Sequence, residues 1–287
     1  MSTRTRVHLL SLLTVFLWGS AFPLTKIALE SFASHQLSFL RCLVAALALL
    51  AAGFLKGARR PIAKDLPLFC LCGGVGFAGY LVFFSQGLVT LPSATSSLVV
   101  AVSPILTAVG ASFLWGEVIR PRGWVCIACA FGGVALLLWG GSTLSVNAGI
   151  CWTLGAALVF CIYNLSSRLL CARGYTALEA LIGSVWVGVV FLLPFAPAGL
   201  ARLPGASGAS LFALVFLGLF PSAVSYLCWN LALSLAEKTS DVTNYMFVTP
   251  LFSTLLGFAL LWEIPSPVTL MGGAVIIVSI LLFNKTK

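Results

Sequence analysis

The sequence contains ten apolar runs of about 20 residues, separated by short connections. A run of this length is what an α-helix needs to cross the hydrocarbon core of a bilayer. Only 8% of the residues are charged, whereas an average soluble domain has about 25%, and period-two alternation typical of membrane strands is absent. We therefore predict an all-α integral membrane protein with ten transmembrane helices, over residues 8–29, 35–55, 66–90, 93–115, 123–141, 148–170, 177–199, 209–234, 240–262 and 267–283.

The lysines and arginines predict the orientation of the chain. If the N-terminus is cytoplasmic, 13 of the 16 basic residues fall on the cytoplasmic side, Arg202 falls outside, and Lys26 and Arg41 lie within runs. This is the bias that the positive-inside rule describes. The net charge of +9 thus indicates orientation rather than nucleic-acid binding. We predict a multi-pass protein of the plasma (inner) membrane, in contact with lipid, with both termini cytoplasmic; the sequence leaves monomer and homodimer open.

An internal repeat divides the ten runs into two sets of five. When the chain is shifted by 146 residues, 11 identities occur over residues 66–137. A repeat with an odd number of spans enters the membrane from opposite sides, so we predict two inverted halves, residues 1–141 and 147–287, around a central cavity near the midplane. The rare residues that match are Tyr80 with Tyr226, Pro104 with Pro250, Glu117 with Glu263, and Pro121 with Pro267.

Several short motifs occur in a specific order along these runs. They are Trp18-Gly-Ser-Ala-Phe-Pro-Leu-Thr-Lys26 in the first run, Phe39-Leu-Arg41 in the second, Ser225-Tyr-Leu-Cys-Trp-Asn-Leu-Ala232 in the eighth, and a central Pro with a terminal Glu in the fourth and ninth. Their order and spacing resemble the EamA-type transporters of the drug/metabolite transporter superfamily. The sequence departs from a symmetric pattern at Gly183, which stands opposite Arg41 in the second half.

The resemblance implies a fold and a class of function. It implies ten helices in two inverted repeats, with a cavity lined mainly by helices 1, 3, 4, 6, 8 and 9. Members of this family mostly export amino acids or other small metabolites, and their relatives carry sugar phosphates or nucleotide sugars.

Lys26 and Arg41 are the two basic residues within the apolar runs. A charge in such a segment is costly and often functional, so both are candidates to bind a substrate carboxylate or phosphate. The alternative is that they extend to the interface, or that Lys26 pairs with Glu30 on the same helix face.

Aromatic and amide side chains near the centres of the runs are the other candidates for substrate binding. Aromatic residues usually gather at the membrane interfaces, and an unpaired amide in an apolar helix costs about 1–3 kcal/mol. Rings for stacking and amides for orientation suit an apolar cavity with few polar groups, although packing in the core is the alternative. The candidates are Trp18, Tyr80, Phe84, Tyr163, Asn164, Tyr226, Trp229, Asn230, Asn244 and Tyr245.

Prolines and glycines within the runs predict local features of the helices. Four prolines interrupt the helical hydrogen bonds and serve either as hinges or as static kinks: Pro23, Pro104, Pro221 and Pro250. The segment Gly73-Gly74-x-Gly76 predicts a close-packing surface of a membrane helix.

The sequence shows no nucleophile–base pair, metal cluster or phosphate-binding loop, so we predict neither an enzyme nor a bound metal or cofactor. We predict a secondary transporter that moves amino acids or similar small metabolites, as an exporter, across the bacterial inner membrane by alternating access. The alternative is a transporter of anionic metabolites such as sugar phosphates or nucleotide sugars, which needs clustered Lys and Arg in the cavity.

Overall fold

The chain is built from apolar helices joined by short turns. A computed structural model describes residues 3–140, 144–235, 242 and 244–285, and no strand occurs among them. The predicted all-α membrane fold is confirmed. The helical segments of the first half are α1 (Thr3–Leu29), α2 (Ser34–Lys56), α3 (Ala63–Leu88), α4 (Ser93–Trp115) and α5 (Pro121–Trp139).

Five further segments follow in the second half of the chain. The first eight segments are long and apolar enough to cross a membrane, and the last two are shorter apolar helices. Each of the ten overlaps one of the predicted runs; residues 141, 240, 241 and 243 of those runs lie outside the described residues. The segments are α6 (Ala148–Ala172), α7 (Ala177–Gly205), α8 (Gly208–Ala232), α9 (Tyr245–Leu261) and α10 (Pro267–Phe283).

Five of these segments depart from regular α-helix. Helix α7 has 3₁₀ turns at Leu193–Phe195 and Leu203–Gly205, and the other four departures lie within α3, α4 and α8 and at the start of α9. Helix α3 contains a π-helix at Cys70–Ala78, and α8 contains one at Phe220–Val224. In α4 the helix stops at Val100 and restarts at Ser103, so that Pro104 lies in the first turn of the new helix. In α9, 3₁₀ turns give way to a helix whose first turn holds Pro250. A proline lacks the amide hydrogen that a continuous helix requires, and it is tolerated in a first turn.

The helices of the two predicted halves pack against each other in a regular pattern. Helix α1 packs against α8 and α9, and α6 packs against α3 and α4. Helix α2 packs against α7, and α5 against α10. If each helix is replaced by its counterpart in the other half, α1 by α6 and so on, the same pairs are in contact, as expected for inverted repeats. The boundaries of the halves stay a prediction.

Glycines allow the close approach of α3 to its neighbours. A Cβ atom at Gly73 would lie 2.0 Å from the carbonyl oxygen of Ser184 in α7, and one at Gly76 would lie 2.7 Å from the backbone of Tyr163 in α6. The predicted close-packing surface is confirmed. This approach brings the central part of α3 to the middle of the bundle.

Two ion pairs cross between the segment around the start of α3 and the segment around the start of α7. Arg59 Nε donates to Glu179 Oε1 at 3.0 Å, and Arg173 pairs with Asp65. The hydroxyl of Tyr175 also donates to Asp65, at 2.9 Å. Hydrogen bonding to the Glu179 carboxylate raises the pKa of Arg59. These contacts fasten the predicted halves together at this end of the bundle.

Candidate solute-binding site

A small cavity lies between the helices in the middle of the bundle. Its volume is about 50 Å³, room for a few water molecules. Helices α1, α3, α4, α6, α8 and α9 line it, as the family resemblance implies, and α2 adds one side chain. The lining residues are Trp18, Ala21, Phe22, Arg41, Phe77, Tyr80, Leu81, Ser97, Val100, Ala101, Phe160, Pro221, Ser222, Tyr226, Met246 and Thr249.

The irregular parts of four helices surround this cavity. Phe77 belongs to the π-helix of α3, and Pro221 and Ser222 belong to that of α8. Ala101 lies at the break in α4, and Met246 lies in the 3₁₀ turns of α9. Irregular backbone at membrane depth is tolerated where it is buried in protein or lines a cavity, and π segments are frequent at functional sites.

Aromatic rings form one wall of the cavity. The ring centroids of Trp18 and Tyr226 lie 5.5 Å apart at 68°, an edge-to-face arrangement. Behind them, Trp229 packs on Trp18 with a centroid distance of 5.1 Å, and Tyr163 packs on Tyr226 at 5.6 Å. The predicted residues Trp18 and Tyr226 thus face the cavity, whereas Trp229 and Tyr163 support them from behind.

Tyr80 and Phe84 repeat this arrangement on α3. Tyr80 lines the cavity, and the ring of Phe84, which is fully buried, stacks on it with a centroid distance of 5.3 Å. Phe84 also contacts Phe22 of α1 at 4.9 Å. Phe84 is therefore a supporting residue of the wall and not one of its lining residues.

Arg41 brings the one positive charge among the lining residues. Its side chain is 3% exposed, and its Nε donates to Ser222 Oγ at 2.8 Å. Its guanidinium carbon lies 5.7 Å from the centroid of the Phe84 ring. Its Nη1 is buried and has no hydrogen-bond partner within the part of the chain that the structure describes. The guanidinium is thus held in place at one nitrogen and unsatisfied at another.

Lys26 lies outside the cavity, in an ion pair that links α1 to Glu263, which follows α9. Its Nζ donates to Glu263 Oε1, and Glu263 Oε2 accepts the backbone N–H of Ser93, at the start of α4, at 2.7 Å. Lys26 also lines an open groove of about 560 Å³ at this end of the bundle. Because Phe22, one turn earlier in α1, lines the cavity, the ion pair lies between the cavity and the groove.

A second ion pair occupies the matched place at the other end of the bundle. Arg168 of α6 donates to Glu117, which follows α4, at 2.8 Å. The guanidinium carbon of Arg168 lies 4.1 Å from the ring centroid of Trp115. By the predicted repeat, Arg168 corresponds to Lys26 and Glu117 to Glu263, so each pair joins one half to the other.

Two of the predicted amide residues, Asn164 and Asn230, do not line the cavity. Asn164 Nδ2 donates to Thr107 Oγ1 of α4 at 3.4 Å, and Asn230 is half-buried one turn beyond Tyr226. Tyr245 shares a hydrogen bond of 2.6 Å with His8 Nδ1, near the start of α1. The side chain of Asn244 falls outside the described residues.

Sequence reasoning missed three polar lining residues: Ser97, Ser222 and Thr249. Ser222 precedes Tyr226 by four residues and so shares its helix face, a signal that was present in the sequence. Thr249 Oγ1 is buried without a hydrogen-bond partner among the described residues. Across the same residues, no three His, Cys, Asp or Glu side chains cluster as metal ligands would.

The sequence matches a known family along nearly its whole length. The model of the EamA-like transporter family matches residues 5–139 and again residues 147–285. A solved crystal structure shares the fold, with a TM-score of 0.64 and 22% sequence identity, and the match covers 97% of this chain and 96% of that chain.

Curated relatives are named as transporters. The "probable terminal-alkyne amino-acid exporter" of Streptantibioticus cattleyicolor is 36% identical over 276 residues, which cover 95% of this chain and 91% of the relative. The uncharacterized transporter YdfC of Bacillus subtilis is 29% identical, covering 92% and 86%. The uncharacterized inner membrane transporter YedA of Escherichia coli is also 29% identical, covering 94% and 88%.

Proposed function

Because the chain belongs to the EamA-like transporter family, we propose that it is a secondary transporter that exports amino acids or similar small metabolites across the bacterial inner membrane. In this proposal both termini are cytoplasmic, as the distribution of Lys and Arg favours.

The central cavity is the observation that carries this proposal. It lies between helices of the two predicted halves, and its lining combines an aromatic wall of Trp18, Tyr80 and Tyr226 with the single guanidinium of Arg41. Such a lining suits a small, partly apolar solute with one negatively charged group. The name of the Streptantibioticus relative, an amino-acid exporter, supports the same class.

Alternating access is supported by the two ion pairs between the halves. Lys26–Glu263 and Arg168–Glu117 lie at opposite ends of the bundle, because successive helices cross in alternate directions. Opening one end requires its pair to separate, while the pair at the other end holds.

Transport of sugar phosphates or nucleotide sugars is less well supported. These solutes carry two or more negative charges and are usually held by several basic side chains. Lys26 is engaged by Glu263 outside the cavity, which leaves Arg41 alone among the lining residues.

The test is transport by the full-length protein in liposomes. We expect saturable counterflow of radiolabelled neutral amino acids, with a terminal-alkyne amino acid included in the panel. Trp18→Ala removes a ring of the cavity wall and should reduce transport by about tenfold or more, whereas Trp139→Ala, whose ring is 91% exposed, should not. Absence of saturable flux for every amino acid tested would refute the proposal.

A further inference from the structure

The guanidinium of Arg41 is buried, and no carboxylate among the described residues pairs with it. The described part of the chain holds five acidic residues, and four of them form ion pairs with Lys26, Arg59, Arg168 and Arg173. The fifth, Glu30, is exposed. Removing a charge from water without a paired ion costs several kcal/mol, so this arrangement needs a reason.

The side chain of Arg41 is fixed in direction. Ser222 Oγ accepts from its Nε, and the ring of Phe84 lies beside its guanidinium carbon. These contacts hold the planar group before a ligand arrives, and a preorganised donor loses little entropy on binding. The unsatisfied Nη1 belongs to a residue that lines the central cavity.

A second unsatisfied polar atom lines the same cavity. Thr249 Oγ1 is buried and lacks a hydrogen-bond partner within the described residues. It comes from α9, whereas Arg41 comes from α2, so the two groups reach the cavity from different halves. A hydroxyl both donates and accepts, and it therefore suits a polar group of the ligand other than an anion.

We infer that Arg41 is the carboxylate-binding subsite of the central cavity, and that the ligand is a monocarboxylate with an apolar tail. The carboxylate accepts from the guanidinium, and the tail lies against Trp18, Tyr80 and Tyr226. Thr249 meets the ammonium group when the ligand is an amino acid. The amino-acid class rests on the proposed function, whereas the carboxylate subsite does not.

This assignment also sets the specificity of the site. A single carboxylate neutralises the single guanidinium, so the occupied cavity carries no net charge from this pair. A basic amino acid would bring a second cation, on its side chain, into a cavity that already holds Arg41, and that cation would be unpaired. A phosphate dianion would find one basic partner and lack a second. Neutral, apolar amino acids are therefore preferred over basic ones and over phosphorylated solutes.

Analogues that differ at one group test the subsite on the wild-type protein. Binding to the purified full-length chain in nanodiscs is measured by calorimetry with L-leucine, L-leucine amide, 4-methylpentanoate, isopentylamine and inorganic phosphate. We expect L-leucine and 4-methylpentanoate to bind, and their counterparts without a carboxylate to bind about 10- to 100-fold more weakly, the range for a lost hydrogen bond to a charged group. Phosphate should not compete.

Variants then locate the effect at Arg41. Arg41→Gln should weaken the binding of L-leucine by about 10- to 100-fold and leave the binding of L-leucine amide unchanged. Arg41→Lys should have an intermediate affinity for L-leucine, because lysine keeps the charge but loses the paired N–H donors of the guanidinium. Arg202→Gln, an exposed arginine that does not line the cavity, is the matched control and should bind as the wild type does.

The outcomes separate the subsite from the transport function. The assignment of the subsite to Arg41 is wrong, even when amino acids are transported, if L-leucine amide binds to the wild type as tightly as L-leucine does. It is also wrong if Arg41→Gln weakens the binding of L-leucine and of its amide equally. If simple carboxylates bind through Arg41 but no amino acid is transported, the subsite stands and the proposed function fails. Should Arg41→Gln not fold, the wild-type analogues and Arg41→Lys decide the question.

Discussion

The backbone turns left-handed at one residue at the end of α4 and at one at the end of α9. Gly116 has a φ of +67°, and Trp262, its counterpart under the 146-residue shift, has a φ of +57°. Each turn is followed directly by the glutamate of an ion pair, Glu117 or Glu263. The first half uses the residue that adopts this conformation without strain, whereas the second half places a bulky side chain there at some cost.

We predict that Gly116→Ala destabilises the protein through this turn. A Cβ atom at Gly116 would meet nothing within 4 Å, so the effect is conformational, about 1 kcal/mol lost from the free energy of unfolding. Chemical unfolding in detergent micelles measures it. Gly132→Ala is the control, since its Cβ is equally free and its φ is not positive; equal loss in both variants would contradict the prediction.

Individual partners were harder to predict than residue types. The sequence marked Lys26 as unusual, but the helix face it shares with Glu30 suggested a local ion pair. The structure pairs Lys26 with Glu263, 237 residues away. The repeat matches Lys26 with Arg168 and Glu117 with Glu263. Neither match reveals that each ion pair joins a residue of one half to a residue of the other. That contact depends on the packing of α1 against α9, which no local pattern encodes.

At the scale of helices, hydrophobic runs predicted all ten segments, and prolines marked the irregular places of α4, α8 and α9 but not the π-helix of α3. Run length reflects bilayer thickness, a property of the solvent that acts on each helix separately. A π segment depends instead on which hydrogen bonds the neighbouring helices allow. In α3 the π-helix Cys70–Ala78 coincides with the glycines that touch α6 and α7. The glycines were visible in the sequence, whereas the backbone register that they permit was not.

The contact between α3 and α7 predicts a strong effect of Gly73→Ala. The new Cβ would lie 2.0 Å from the Ser184 carbonyl oxygen, so the two helices must separate. Overpacking of this kind costs about 1–3 kcal/mol. We expect a lower unfolding midpoint in detergent than that of the wild type. Gly132→Ala again serves for comparison, and a Gly73→Ala protein as stable as Gly132→Ala would show that the contact is unimportant.

For the whole molecule, the crossed ion pairs predict opposite effects of two similar substitutions. Glu263→Gln removes the carboxylate that holds Lys26 and the Ser93 amide, so the end of the bundle near Lys26 should open more often. Glu117→Gln should open the other end, but less, because the Arg168–Glu117 pair is about half exposed, with side-chain exposures of 55% and 48%, and exposed pairs contribute little.

Hydrogen–deuterium exchange measures both changes. We expect faster exchange in Glu263→Gln at the end of α1 and the start of α4, and in Glu117→Gln at the end of α4 and of α6. The charge-swapped double variant Lys26→Glu with Glu263→Lys should return exchange toward the wild-type rate. Identical exchange maps for the two single variants would mean that the pairs do not control separate ends.

Arg41, the one arginine among the described residues that line the cavity, gives the molecule a polarity that its helix arrangement lacks. Gly183 occupies the place in α7 that matches Arg41, and Phe69 and Pro61 fill the space beside it, so a second arginine has no room there. If Arg41 holds the carboxylate, as we propose, a solute with two different ends keeps one orientation relative to the protein throughout transport. The carboxylate of the solute is then at its leading end during export and at its trailing end during import, or the reverse. Export and import then pass through the same oriented states of the complex in opposite order.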